Sequence, residues 1–526
     1  MEDERLTESA HSAVVIGAGI GGLSAALRLA AKGLRVTVVE AADGPGGKMR
    51  TVPSHAGPVD IGPTVLTMRP VFESLFADVG ERLEDHVTLH RDPLLARHFW
   101  RDGSTLDLFD DPDASVEAVR VFAGNRAASQ FARFAASAKT LYDAFDGPIM
   151  QSAAPALGPL TAHVLRNPRL IPAMMPGLSL ARRLQMSFDD PRLQQLFGRY
   201  ATYVGGSPYQ SPAVLGLIWH SEAQGVWSVE GGMHVLARAL HDLAVARGVT
   251  FVFGQVAERI AQQGRAVSAV HLADGTAIAA DTVVFNGDPR ALSNGLLGPP
   301  ARAAVPKTGT EPRSLSAFVW GFAAEPQGVE LAHHNVFFCA DPKVEFGDIA
   351  KGDMPRDATL YVCAQDRGIV TPERPERFEI IMNGPPGHNT TEEARKTCLT
   401  RTFETLAQMG LAFSPRPQTS ALTTPRDFNQ AFPGSDGSLY GRSPHGMMAT
   451  FQRPTARTAL KGLYLAGGGA HPGAGVPMAC LSGKHAAEAI WSDLALTSTS
   501  QKMATPGGMS TGSATMATKP SPSSAS

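Results

Sequence analysis

A chain of 526 residues with 43% hydrophobic content has the length for roughly two to four domains and the composition of an ordinary globular fold. Its formal net charge of −2 gives no basic footprint, which excludes nucleic acid as an expected partner. Four cysteines, Cys339, Cys363, Cys398 and Cys480, have no C-x-x-C spacing, so neither a disulfide framework nor a metal site is expected.

The chain opens on the acidic Met1-Glu2-Asp3-Glu4-Arg5, the reverse of a secretory leader, and no uninterrupted apolar run reaches membrane-spanning length. A cytoplasmic location is expected. A β-branched strand, Ala13 to Ile16, then runs into Gly17-Ala18-Gly19-Ile20-Gly21-Gly22, an apolar helical run follows, and a second strand ends at Glu40. This is G-x-G-x-x-G in its required context, a βαβ unit with an acidic residue about 20 positions on. Gly17 allows the tight turn, Gly19 lets the backbone approach a pyrophosphate, and Gly22 lets helix and strand pack closely. The pyrophosphate is expected on the free N–H groups near Ile20, and Glu40 is expected to accept a ribose hydroxyl.

Pro45-Gly46-Gly47-Lys48-Met49-Arg50 and Val59-Asp60-Ile61-Gly62-Pro63-Thr64 come next. From about Gly80 to Val226 the pattern is helical. In it, Asp143 and Asp146 share a helix at i, i+3 spacing, where one could face a pocket. Leu170 to Leu180, followed by Arg182-Arg183, is an apolar patch with basic flanks, which reads either as a membrane-insertion site or as a buried helix-loop-helix. Strands are predicted at Val249–Phe253, Val256–Ile260, Ala266–Leu272, Ala277–Ala280 and Asp281–Phe285. In the mixed stretch that follows, His333-His334 with His98 or His445 could be taken for a metal cluster, but adjacent strand histidines point to opposite faces, so no metal is expected. Near the end, Lys461 to Ala466 is an apolar strand leading to a glycine-rich turn and a small-residue helix, so both ends of the chain are expected to build one site. The stretch 495–526 is Ser/Thr/Pro/Gly/Ala-rich and reads as a disordered tail.

The double glycine and basic residue after Glu40 resemble the flavin amine oxidase and carotenoid desaturase superfamily. Further ordered blocks narrow this to the bacterial-type phytoene and carotenoid desaturase family. They are Tyr203-Val204-Gly205-Gly206-Ser207-Pro208, Gly225-Val226-Trp227 before Glu230-Gly231-Gly232-Met233, Leu331-Ala332-His333-His334, Thr424-Pro425-Arg426-Asp427-Phe428 and Gly469-Ala470-His471-Pro472-Gly473-Ala474-Gly475-Val476-Pro477. The wording of 45–51 and 56–67 looks most like the 1-hydroxycarotenoid 3,4-desaturases (hydroxyneurosporene and methoxyneurosporene dehydrogenases) of purple phototrophic bacteria, although phytoene desaturases more often carry Arg at Lys48.

The resemblance implies an α/β fold: a discontinuous Rossmann-type FAD-binding domain (12–80, 227–300 and 455–494) and a mixed α+β substrate domain (81–226 and 301–454). It implies FAD as cofactor, with Gly17, Gly19 and Gly22 at the pyrophosphate, Glu40 at the ribose and Gly47 and Lys48 on the phosphate side. Gly62, Pro63 and Thr64 continue the site, Val256 meets the adenine, Gly469 lies on the pyrophosphate, and Val476 and Met478 offer N–H groups to the flavin ring. The chemistry implied is desaturation of an acyclic hydroxylated carotenoid in a dry apolar tunnel, with hydride passing to flavin N5 and a proton lost from the neighbouring carbon. Such a substrate brings the protein to a membrane surface, and oxygen or a quinone would take the electrons. No base is named; His471 and Asp146 are weak candidates, and His471 reads better as a turn histidine holding a loop. The alternatives are another carotenoid desaturase such as phytoene desaturase, a flavin amine oxidase, and a non-catalytic FAD-containing carotenoid carrier.

Overall fold

A computed structural model describes residues 11–306, 308–368 and 375–503. The acidic start at 1–5 lies outside the described residues. The strand β1 (Ser12–Ile16), the helix α1 (Ile20–Ala31) and the strand β2 (Arg35–Val39) form as predicted. β1 is buried along nearly its whole length because the sheet it joins is covered on both faces, which suits a run of Val and Ile over an alternating pattern. All four pairings in this sheet are parallel. From edge to edge its strands are Thr250–Val252, β2, β1, Thr282–Phe285 and Leu463–Leu465. That is the order 3-2-1-4-5 of a doubly wound dinucleotide-binding sheet, and the order reverses beside β1.

α1 is an Ala/Leu-rich helix buried from Ile20 to Leu29. It packs on the last helix, Val476–Met503, through the same core cluster and through Ser24 Oγ, which donates to the Cys480 carbonyl at 2.7 Å. The two ends of the chain thus meet in one layer. That last helix runs to Met503, past the expected boundary of a disordered tail at 495; residues 504–526 lie outside the described residues. The strands Ala257–Gln263, Ala266–Leu272 and Ala277–Ala279 make a separate antiparallel sheet.

A larger, mostly antiparallel sheet is centred on Ser316–Gly328, Glu376–Gly384, Leu360–Ala364 and His334–Phe337. The stretch 81–226 is less purely helical than predicted, since its hairpin Leu94–Phe99/Thr105–Phe109 extends this sheet through a parallel pairing with His334–Phe337. Local alternation in the hairpin was too short to be distinguished from a helix edge, and the pairing that fixes it is more than 200 residues away. Helix Pro112–Phe145 follows, broken at Gly124, whose φ of +88° a side chain would strain. Asp146 starts a separate π-turn after it, so Asp143 and Asp146 do not share the helix as predicted.

The apolar patch at 170–180 divides. Leu170 and Leu180 are buried, and so is Arg183, whose guanidinium donates to the Ala213 carbonyl (3.1 Å) and Ser137 Oγ (2.9 Å) over the Phe134 ring. These are core residues and form no basic flank. Exposed apolar surface is supplied instead by Leu157, Leu165, Ile171, Met447 and Met448, with Gly177 N–H donating to Met447 Sδ at 3.1 Å. The exposed Arg166, Arg169 and Arg182 lie close to it in sequence. Among the described residues, no helix is long and apolar enough to cross a membrane.

Candidate functional site

A cavity of about 1510 Å³ runs from the C-terminal ends of the parallel strands to the inner face of the large sheet. A pocket for one drug-sized ligand measures roughly 300–1,000 Å³, so this one has room for a dinucleotide and a second long molecule.

Its first end is carved by absent side chains. Gly17 holds φ +103° at the turn. A β-carbon on Gly22 would lie 2.1 Å from the Gly17 carbonyl oxygen, and one on Gly21 would lie 2.6 Å from Gly467 N. Gly22 therefore acts behind the cavity wall, closing helix onto turn, while Gly17, Gly19, Ile20 and Gly21 line it. No side chain caps α1 and no acid sits in its first turn, so its leading N–H groups are left for a ligand. Gly46 N–H donates to the Ala18 carbonyl (2.9 Å), which draws the Gly46-Gly47 turn against the cradle. The Glu40 carboxylate is oriented by Ala18 N–H (2.7 Å) and Ala42 N–H (2.9 Å) and faces the cavity. Val256 stands half-exposed at this rim, its carbonyl accepting Ala273 N–H at 2.9 Å.

Asn286, at the end of the strand Thr282–Phe285, escaped the sequence reading as a site residue. Its amide donates to the Gly17 carbonyl (3.2 Å), and it packs under Gly19, Gly21 and Gly467. The signal was present as a polar residue ending an apolar strand, but the same pattern marks many ordinary turns. Gly469 is held tightly, since a β-carbon there would lie 2.5 Å from Pro289 Cδ. Val476 lines the cavity at the start of the last helix, whereas the Met478 side chain packs against the core beside it.

Gly62, Pro63 and Thr64 form the wall between the two ends. Lys48 reaches across to donate to the Leu439 carbonyl and lies 5.5 Å from the Phe432 ring centre. Burial pushes its amine down to about 8; Asp288 opposes that shift, and Arg313 and Arg453 add to it. The Lys48 amine on the cavity wall, with an uncapped helix start and a glycine cradle lining the same cavity, fits a bound pyrophosphate. The residues present therefore suit a dinucleotide cofactor.

The second end is apolar with a few buried polar groups. Tyr361 hydroxyl lies 2.7 Å from both Thr64 Oγ1 and His334 Nδ1. Glu222 accepts Tyr200 (2.7 Å) and Tyr203 (2.6 Å), with the Arg199 guanidinium 5.1 Å from the Tyr203 ring. Burial pushes the Glu345 carboxyl up to about 7; Thr359 Oγ1 donates to it at 3.0 Å. Glu379 lines the cavity from the central strand of the sheet. Thr64, Tyr203 and His334 were singled out by the sequence motifs, but Glu222, Glu345, Glu379 and Tyr361 were not, because an isolated acid or tyrosine in a helix or strand carries no local signal.

The weak base candidates stand elsewhere. His471 is buried, its Nε2 lying 2.8 Å from the Ser152 carbonyl and 3.1 Å from that of Ile149, so it ties two loops together; burial lowers its pKa. Asp146 sits 3.3 Å from the Gln151 amide, and Asp143 pairs with Lys139. None of the three lines the cavity.

The histidine geometry also differs from the prediction. His333 precedes its strand and is not part of the alternation, so its ring lies 4.4 Å from that of His334, with Cys363 Sγ 3.6 Å from His333 Nε2. The three donor atoms lie within 4.8 Å of one another, and both Nδ1 atoms are already hydrogen-bonded, to the Arg367 carbonyl and to Tyr361. His98 and His445 are engaged with other backbone groups.

Among known proteins, residues 20–491 match the flavin containing amine oxidoreductase family. Hydroxyneurosporene desaturase of Cereibacter sphaeroides is 58% identical over 483 residues, covering 92% of this chain and 98% of that protein. The protein of the same name from Rhodobacter capsulatus is 56% identical over 481 residues, 91% of this chain and 97% of that one. Among solved structures, an oxidoreductase from Methanosarcina mazei superposes with a TM-score of 0.60 over 91% of this chain and 100% of its own, at 16% identity, a likeness of fold.

Proposed function

The chain belongs to the flavin containing amine oxidoreductase family, with FAD as its cofactor, and from that premise we propose that it introduces the C-3,4 double bond into acyclic 1-hydroxy or 1-methoxy carotenoids. The observation that carries this reading is the continuity of the cavity: a dinucleotide cradle opens directly into a long apolar chamber.

Bound FAD supplies a hydride acceptor. The protein's share is to bind, align and exclude water. Gly17, Gly19 and the first turn of α1 hold the phosphates, Glu40 the ribose, and Val476 at the last helix start presents a positive dipole end to the ring. The wall at Gly62-Pro63-Thr64 and the inner face of the large sheet hold the polyene end beside it. Alignment of one C–H bond in a water-free site is the main rate term such a chamber offers.

We assign 12–80, 227–300 and 455–494 to the cofactor domain, and 81–226 and 301–454 to the substrate domain. In support, the parallel sheet draws its strands from the first set and the large antiparallel sheet from the second. The exposed Leu157, Leu165, Ile171, Met447 and Met448, with nearby arginines, support a membrane-facing surface. Reoxidation by oxygen or a quinone belongs to the same reading.

Chromatography of carotenoids from cells making 1-hydroxyneurosporene, with and without this protein, tests the activity. The expected product has one more conjugated double bond and a red-shifted spectrum. Unchanged 1-hydroxyneurosporene beside conversion of phytoene in a parallel strain would move the activity to phytoene desaturation.

A further inference from the structure

Glu379 lies on the strand Glu376–Gly384, flanked across the sheet by Gly321 and Cys363. It is 0% exposed, and neither carboxyl oxygen has a hydrogen-bond partner. Buried polar groups are almost always paired, so a carboxyl group buried without a partner on a residue that lines a ligand cavity calls for a partner from the ligand. Its strand also contributes Ile381 and Asn383, which line that cavity with Glu379.

The position is the part of the substrate end that abuts the wall between the two ends. A β-carbon on Gly321, opposite Glu379, would fall 2.3 Å from Ile61 Cγ2, which presses the Ile61-Gly62-Pro63-Thr64 wall against this point of the sheet. Tyr361, on the neighbouring strand, joins the same wall through Thr64. Burial first, and then the charge of Asp60, holds the Glu379 carboxyl well above the usual carboxylate range. A neutral carboxylic acid offers one donor and one acceptor, the complement of an alcohol.

We propose that Glu379 is a hydroxyl-binding subsite that receives the tertiary alcohol of the carotenoid end group and so selects which end of the chain reaches the reacting position. This rests on the desaturase reading above. In a 1-hydroxy chain oxidised at C-3,4, the oxygen is three bonds from C-3, so its binding group must stand close to the cofactor, and Glu379 abuts the wall that borders the cofactor end. An unoxygenated end would leave the carboxyl unpaired, and sites built to pair a substrate hydroxyl reject the analogue lacking it strongly. A methoxy end can only accept, so it makes one of the two hydrogen bonds.

The experiment uses the FAD-loaded protein. Binding of 1-hydroxyneurosporene, its 1-methoxy counterpart and neurosporene is titrated by carotenoid absorbance shift, alongside kcat/KM for each. The wild type is expected to prefer hydroxyl over methoxy over hydrocarbon, with about 10²-fold between the extremes. Glu379→Gln, which keeps a donor and an acceptor, should stay within about tenfold of the wild type. Glu379→Leu should collapse the preference to about threefold or less, retain neurosporene binding, and raise the Tm of the substrate-free protein because an unpaired polar group is removed. Retained FAD and an unlowered Tm show that both variants are folded. Preference surviving in the Leu variant overturns the proposal. Equal loss of turnover on all three substrates in both variants, with binding unchanged, also overturns it and marks Glu379 as a proton acceptor instead. If the wild type turns over phytoene alone yet binds the hydroxylated chain preferentially through Glu379, the functional reading falls and the subsite stands; if the binding preference is missing too, both fall.

Discussion

At the cofactor end of the cavity, space is made by residues without side chains; at the substrate end, it is lined by full side chains that keep polar atoms buried. Gly17 takes a positive φ that a side chain would strain, Gly19 and Gly21 let backbone stand where a β-carbon would clash, and N–H groups are left to meet a ligand. Glu222, Glu345, Glu379 and Tyr361 instead put titratable groups out of water. The first end tolerates almost no added atom, and the second is sensitive to changes of charge and pairing more than of volume.

The sharpest way to break that contrast is Gly22→Val. Its β-carbon would overlap the Gly17 carbonyl, and backbone cannot rotate away as a side chain could. Purified protein should lose essentially all bound flavin, read as the 450 nm absorbance, and fall by more than about 4 kcal/mol in denaturant stability. Flavin retained at the wild-type ratio would show that the cradle is looser than its geometry.

At the other end, Glu222→Ala should cost about 4 kcal/mol, because the Tyr200 and Tyr203 hydroxyls lose their acceptor inside the protein. Urea unfolding of that variant against Glu222→Gln checks it, the amide keeping one acceptor and part of the stability.

Glu345 sharpens the comparison through pH. Its carboxyl group is raised from an ordinary 4.5 to about 7, so the folded protein holds the proton that the unfolded chain has released. The stabilisation is fully present below pH 4.5 and is lost as pH rises through about 7, a span of about 3 kcal/mol. Glu345→Gln should flatten that part of the stability curve; an unchanged slope would remove Glu345 as its source.

The smallest expected effect on stability lies outside the cavity. Leu165→Asp with Ile171→Asp, both exposed, should change stability by no more than about 0.5 kcal/mol and leave FAD bound. Loss of binding to anionic vesicles is expected, and unchanged sedimentation with vesicles would place the membrane contact elsewhere. Leu180 is unsuitable for the same test because it is fully buried.

These two ends were unequally legible. The turn at Gly17, the acid at Glu40 and the second glycine-rich turn at Gly467 to Gly469 are local, since strand, turn and helix start must follow one another in the chain, and each residue type answers a requirement within a few positions. The substrate end depends on register. Glu379 faces the cavity because its strand pairs with Gly321 and Cys363, both far from it in sequence, and a shift of one residue would turn it to the other side. His333-His334 failed for a related reason: strand alternation starts only at His334.

By itself the sequence determined the βαβ unit, because its residues act through short-range backbone geometry, and its motifs carried the resemblance that implied the family and the cofactor. Only the tertiary structure decided that Arg183 and Leu180 are core, that His471 ties loops together away from the chamber, and that Glu379 is buried without a partner in the cavity wall. Those outcomes depend on which distant strands and helices are brought together, and the free energy of a buried charge or polar group is set by the neighbours that remove its water.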